Sequence, residues 1–264
     1  MRQVVRTLLA TGAAAFLIAS GAGTAAAATS SAAADTAPNV AGPGLSGDTV
    51  QPRIVGGSQT GIGSAPYAAQ IHVNSSGTSL NCTGSQISAQ WVLTARHCEG
   101  TVSVRLGTAA NGSGGVVRTV VQDVAWSGGD LRLLKLSSPY TNTYSQLSAT
   151  KPATGNAATA FGWGRTGLND PASSTLKTAN VTVSGSSWDA FDGRAIQTRG
   201  VNGQVWKGDS GGPLTVGGRQ VGVLSTGEAP NTSTTNPNHS RVANYASVAE
   251  GASWITATSG VAVN

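Results

Sequence analysis

The 264-residue chain is long enough for one large domain or two small ones, and its net charge of +5 is spread over only 10% charged residues. The basic residues are scattered and lack the aromatic interleaving of a nucleic-acid-binding stripe, so no nucleic-acid partner is expected. Gly, Ser, Thr, Val and Ala dominate, and helical periodicity is almost absent. That composition excludes a helical bundle and points to an all-β fold.

Arg2 and Arg6, the apolar stretch from Leu8 to Ile18 and the small residues from Gly21 to Ala28 read as a secretory signal peptide at 1–28, cut near Ala27 or Ala28. The apolar stretch is shorter than the about 20 residues a membrane span needs, so a membrane anchor is not expected. Residues 29–53 are rich in Ala, Gly, Pro, Ser and Thr and carry almost no large apolar side chains. They cannot bury enough surface to offset chain entropy and read as a pro-segment.

Short alternating or apolar runs then follow at Ala68 to Val73, Val102 to Leu106, Val116 to Val121, Leu131 to Leu136, Val181 to Val183 and Gln220 to Leu224, with turn residues between them. Such spacing suggests an antiparallel barrel or sandwich. The turn-rich stretch 145–155 is the expected connection between two halves, and only 246–257 reads as a helix. Two cysteines in an exported chain fit one disulfide, Cys82–Cys98. Closing a loop of about 15 residues is worth about 3 kcal/mol on the chain-entropy model. The spacing matches no zinc motif, and no metal is expected.

Three segments carry chemistry. Gly208-Asp209-Ser210-Gly211-Gly212-Pro213 sets a serine in a tight glycine-rich turn. Trp91-Val92-Leu93-Thr94-Ala95-Arg96-His97-Cys98 supplies a histidine beside a cysteine, and Asp130 opens the apolar run Leu131 to Leu136. A serine hydroxyl near neutral pH needs an imidazole to take its proton, and the imidazole needs a buried carboxylate to fix its tautomer. Each residue alone has a plainer reading: Ser210 as a turn residue, His97 as a packed histidine, Asp130 as a turn carboxylate. His72 sits in an alternating run and is expected only to pack.

The order His, Asp, Ser resembles that of the trypsin/chymotrypsin family, and so do further segments. Ile54-Val55-Gly56-Gly57 resembles that family's mature N-terminus, and Gly84-Ser85-Gln86-Ile87-Ser88, Val104-Arg105-Leu106-Gly107, Gly162-Trp163-Gly164, Ser225-Thr226-Gly227 and Ser240-Arg241-Val242-Ala243-Asn244-Tyr245 follow in family order over residues 54–256. The resemblance implies two antiparallel six-stranded β-barrels, the first at about 54–150 and the second at about 151–245, with a short terminal helix at 246–257. It implies a secreted, extracellular serine endopeptidase with His97, Asp130 and Ser210 as triad and the amides of Gly208 and Ser210 as oxyanion hole. The Ser225 hydroxyl is expected to join His97 in bonding Asp130. Cleavage after Arg53 is expected to free Ile54 to pair with Asp209.

Gln204, Ser225, Gly227 and His239 are the expected pocket residues. Gln204 stands where trypsins carry aspartate, which favours a neutral substrate side chain; otherwise a carboxylate such as Asp189, Asp192 or Glu228 would have to reach the pocket. Trp206 replaces a family cysteine. Arg96 and Arg132 replace family alanines, and the sequence leaves open whether they face solvent or the triad. Expected partners are protein or peptide substrates, an activating Arg-specific protease and proteinaceous inhibitors; no cofactor is expected, and the chain is expected to be a monomer.

Two other functions remain to be weighed. A non-catalytic binding protein on the same scaffold would usually lack a triad residue, and all three are present. A secreted esterase of the α/β-hydrolase type would need acid then histidine after the serine, and only Glu228 and His239 follow in that order, without a βαβ pattern.

Overall fold

Strand β1 (Ser58–Gln59) precedes six strands that close into one barrel: β2 (Ala68–His72), β3 (Leu80–Gln86), β4 (Trp91–Thr94), β5 (Ser103–Leu106), β6 (Val116–Ala125) and β7 (Arg132–Leu136). Their order around the ring is β2-β3-β4-β7-β6-β5, all antiparallel. The computed structural model describes residues 54–230 and 240–264. The expected signal peptide, the pro-segment with Arg53, and His239 lie outside the described residues.

The second barrel uses β8 (Ala157–Gly162), β9 (Lys177–Trp188), β10 (Arg194–Gly200), β11 (Pro213–Val216), β12 (Arg219–Gly227) and β13 (Val242–Ser247). They run β9-β10-β13-β12-β11-β8, and the β8–β9 pairing closes the ring. Closure removes the exposed strand edges that would otherwise template pairing with other chains. The expected all-β, two-barrel architecture is what the chain adopts.

Each barrel is filled from its strands. Ile71, Leu93, Val104, Leu106, Leu133 and Leu136 are buried in the first core, and Val181, Val183, Leu214, Val221 and Leu224 in the second. Two segments sit elsewhere than the sequence suggested. Ile54 is buried among the second barrel's side chains, Val55 bridges Gln204, and β1 pairs with β9. The start of the chain's first half thus completes the second barrel. The helix α1 (Ala252–Ser259) begins later than expected. Ala246 and Ser247 pair with Val223 and Gly222, so ladder hydrogen bonds at a buried position override alanine's helical preference. α1 then sends Ile255 into the first core beside Leu131 and Leu133, strapping one barrel to the other.

The disulfide Cys82–Cys98 forms, joining β3 to the segment after β4 across a sequence separation of 16. Replacing both cysteines by serine is expected to cost about 3 kcal/mol, read as a lower midpoint in urea denaturation. An unchanged midpoint would show that packing alone holds the His97 segment.

Candidate active site

His97 follows β4 in a tight turn, where the Cys98 amide donates to the carbonyl of Ala95 at 3.1 Å. Asp130 lies in the loop between β6 and β7, which the Trp126 amide closes by donating to Leu131 at 2.9 Å. Asp130 is fully buried, and an isolated ionised carboxylate there would be costly. Its Oδ2 lies 2.7 Å from His97 Nδ1, and its Oδ1 accepts the His97 backbone N–H at 2.9 Å. One carboxylate thereby fixes both the position and the ring of the histidine. The second donor expected from Ser225 comes from the His97 backbone instead, and the Ser225 hydroxyl accepts the amide of Ala190 at 3.0 Å. His72 is buried in β2, and burial pushes its imidazole down to about 4, so it packs as a neutral side chain.

The two arginines flanking these residues are structural partners. Arg132 donates from Nε and Nη2 to the carbonyl of Arg96, at 3.0 and 2.7 Å, and from Nη1 to both oxygens of Asp123 at 2.6 and 2.5 Å. Its planar fork suits two acceptors in fixed directions. Arg96 lies over the Phe191 ring at 4.1 Å and donates to the Trp126 carbonyl at 3.3 Å. Trp126 stacks on Trp254 of α1, so the helix braces the Asp130 loop.

Ser210 sits between β10 and β11, held against the first barrel. The Thr83 amide donates to the Ser210 carbonyl at 2.8 Å, and the Thr83 hydroxyl donates to the Gly208 carbonyl at 2.9 Å. Gly211 has φ 79°, and a Cβ there would run into Thr94 and Thr83, so the turn admits only glycine. That close approach brings Ser210 beside the His97 segment. Among the described residues the Ser210 hydroxyl makes no hydrogen bond; such bonds commonly tighten only when substrate is bound. The amides of Asp209, Gly211 and Gly212 donate to Trp206, Leu224 and Asp209. Those of Gly208 and Ser210 donate to no described group.

Asp209 points away from Ser210 into the interior, where its oxygens accept the amides of Gly164 at 2.7 Å and Trp206 at 2.9 Å. Burial outweighs these bonds and the nearby Lys177 charge, pushing its carboxyl up to about 6. Beside Ser210 lies a cleft of about 140 Å³ whose described lining comprises Val205, Trp206, Lys207, Leu224, Ser225, Thr226 and Gly227.

The trypsin family model matches residues 54–255, nearly all of the described chain. The chain belongs to the trypsin family. It is 35% identical to trypsin alpha of Drosophila melanogaster over 232 residues, covering 78% of this chain and 87% of that one. It is 34% identical to trypsin alpha-4 of Lucilia cuprina over 205 residues, covering 66% and 77%. Among solved structures, neuropsin of mouse brain aligns with a TM-score of 0.66 at 24% identity, covering 76% of this chain and 98% of that one. The human heparin binding protein aligns at 0.65 and 21%, covering 77% and 95%. Those two likenesses establish the fold. The chain is a serine-type endopeptidase of the trypsin family.

Among the expected pocket residues of this trypsin-family chain, Ser225 and Gly227 line the cleft beside Ser210. Gln204 is buried behind it, in a smaller cavity shared with Glu228, Arg241 and Tyr245, and its amide bonds Val55 at 2.9 Å. No acidic side chain contributes to the described lining of the cleft. Asp189 and Asp192 sit at the β9–β10 turn, and Glu228 accepts the Val242 amide. Cys82, His97 and Cys98 place possible ligand atoms within 4.8 Å of one another, but the disulfide consumes both sulfurs.

Arg132, Asp123 and Thr83 carry positioning roles that the sequence did not reveal, because Arg132 and Thr83 bond backbone carbonyls 36 and more than 100 residues away, and Asp123 is placed only by its ion pair with Arg132. Arg132→Ala is expected to cost about 1.5–3 kcal/mol, the range for hydrogen bonds to a charged group, measured by urea denaturation. A variant as stable as the parent would show the clamp on Arg96 to be dispensable.

Proposed function

We propose that the chain is a secreted endopeptidase acting by acyl transfer, with Ser210 as nucleophile, His97 as base then acid, and Asp130 as the group that orients His97. The observation that carries this reading is the pair of N–H groups of Gly208 and Ser210, left unspent while every other amide from Asp209 to Gly212 is used. In a turn built around glycines, two free donors, the serine's own N–H and that of the residue two before it, suit the oxyanion of a tetrahedral intermediate. Each such donor is worth about 2.7–4 kcal/mol in the transition state.

The chemistry then follows. His97 Nε2 takes the Ser210 proton as Oγ attacks the scissile carbonyl. The proton on Nδ1 stays hydrogen-bonded to Asp130, which stabilises the imidazolium. Collapse of the intermediate passes the proton to the leaving amine and leaves an ester on Ser210, which water cleaves by the reverse steps. An extended peptide in the cleft would present its side chain to a lining beside Ser210 that holds no carboxylate and includes Lys207, in keeping with a side chain other than Arg or Lys. Ser210→Ala and His97→Ala are expected to cut turnover by orders of magnitude, and Asp130→Asn by about 10⁴. Near-parental kcat in any of the three, at equal folding, would refute the triad.

Two features support activation by cleavage after Arg53. Ile54 holds φ 36°, a left-handed conformation that a β-branched residue adopts only under strain of roughly 1–3 kcal/mol. Cutting the 53–54 bond frees that torsion. Ile54 also packs in the same cluster as Tyr245, whose phenol is pushed up by burial and then by the charge of Asp209. A new ammonium at Ile54 would therefore arise in the neighbourhood of Asp209.

The sign of the pH effect follows from Asp209. Its carboxyl titrates at about 6 in the fold against 3.8 ordinarily. The intact chain therefore has the full Asp209 contribution below about pH 4 and loses it as pH rises through about 6. With the ammonium in place the ionised form gains a partner. The melting temperature of the trypsin-cleaved protein should exceed that of the uncleavable Arg53→Gln precursor, by more at pH 8 than at pH 5. A gap that is absent, or that narrows with pH, would remove Asp209 as the partner.

A further inference from the structure

The turn between β9 and β10 belongs to the second barrel, yet it touches the segments carrying both His97 and Asp130. Phe191 lies under the guanidinium of Arg96, next to His97. Ala190 donates to Ser225 on β12. Asp189, buried at the start of the turn, is the residue that reaches Asp130: its Oδ2 accepts the Asp130 backbone N–H at 2.9 Å. Its Oδ1 accepts the amides of Phe191 and Gly193, both at 2.9 Å. The Asp189 amide in turn donates to the Gly193 carbonyl at 2.9 Å, so the turn is closed on itself around one carboxylate.

The two backbones meet without side chains between them. A Cβ on Gly129 would lie 2.6 Å from Asp189 Oδ2 and 3.2 Å from Gly193 Cα. A Cβ on Gly193 would run into Asp189 and lie 2.6 Å from Gly129 Cα. Glycines on both sides let the carboxylate reach the amide of Asp130 directly. The triad mechanism has no use for Asp189, yet a carboxylate buried at this seam needs donors, and the ones it finds tie the Asp130 loop to the other barrel.

We propose that Asp189 is a positioning residue for the peptidase reaction, holding the backbone of Asp130 so that its carboxylate meets His97 in the reacting geometry. The inference rests on the triad reading above. Asp130 approaches His97 from a loop of β6 and β7, and that loop is also braced by the Trp126–Leu131 bond, the Arg96 bond to the Trp126 carbonyl and the Trp126–Trp254 stack. None of these grips the backbone of residue 130 itself. The Asp189 bond does, one residue-length from the carboxylate that orients the base. A displacement of the order of 1 Å at such a group can cost 10²-fold in rate.

Asp189→Asn isolates this contact. The amide oxygen can still accept from Phe191 and Gly193, but the NH2 group then faces the Asp130 N–H, donor against donor. On the processed enzyme, kcat for a peptide substrate should fall roughly 10- to 100-fold with KM nearly unchanged. The downfield proton resonance of the His97–Asp130 hydrogen bond should shift or broaden. Gly193→Ala, which displaces the carboxylate by another route, should show the same split. The exposed neighbour Asp192→Asn should behave as the parent.

A kcat and proton resonance like the parent's in Asp189→Asn overturns the inference, as does a loss confined to KM. If both Asp189→Asn and Gly193→Ala unfold at assay temperature, the carboxylate is a structural brace and the positioning role is again overturned. Ser210→Ala run alongside separates the two readings. Activity surviving in Ser210→Ala sinks the triad, whereas an inactive Ser210→Ala beside a fully active Asp189→Asn sinks only the role of Asp189.

Discussion

A carboxylate taken out of water must recover its lost hydration from donors fixed by the protein. Asp130, Asp189 and Asp209 are all buried where the two barrels meet, and backbone N–H groups serve all three. Backbone donors have no side-chain rotamers to freeze, so each carboxylate pins the loops it touches at little entropic cost. Asp130 pins the His97 turn, Asp189 pins the Asp130 loop, and Asp209 pins the Trp206 and Gly164 segments beneath Ser210. The geometry that joins His97, Asp130 and the Ser210 turn depends on the requirement that none of these charges be left bare.

That requirement adds to the apolar side chains that the two barrels share, such as Val223 and Ala246 in the first barrel's core. The first barrel contributes Thr83, whose amide and hydroxyl hold the Ser210 and Gly208 carbonyls, while the Thr94 hydroxyl donates to the carbonyl of Thr83 at 2.8 Å. The second barrel returns Asp189, Ala190 and Phe191 to the neighbourhood of Asp130 and His97. α1 follows the last strand of the second barrel but buries Ile255 in the first. Contacts therefore run in both directions across the seam, and a shift of one barrel against the other would disturb His97, Asp130 and Ser210 together.

Much of this was legible in the sequence because it depends on local patterns. Alternating runs such as Val102 to Leu106 and Leu131 to Leu136 gave strands near their true places, and the glycine-rich turn around Ser210 announced a compressed backbone. What stayed hidden depends on pairing partners far apart in the chain. β10 and β11 have no strong alternation and are strands because neighbours hydrogen-bond them on both sides. Residues 246 and 247 read as the start of the helix expected at 246–257, yet they complete a ladder. Asp189 was named only as a carboxylate that could reach the pocket, because its contact with Asp130 exists only once Gly129 and Gly193 have been brought together across some sixty residues. Arg132 stood at a family alanine with its surroundings open, and only the approach of Asp123 and the Arg96 carbonyl makes it a good residue to bury.

Ile54 and Asp192 are the non-glycine residues with positive φ among the described residues, at 36° and 60°, and Gly208 and Gly211 stand at 98° and 79° beside Ser210. Asp192 tolerates the left-handed region, as short polar side chains can, and Gly208 and Gly211 occupy it without penalty. Ile54 has neither excuse, so its strain must be held in place by its burial in the second core. Strain that packing over-determines is typical of a functional position. Here it falls on the one residue whose torsion a single peptide cleavage would release, in the cluster that also feels the under-compensated charge of Asp209. The cost of burying one carboxylate, Asp209, thus falls in the same turn as Ser210.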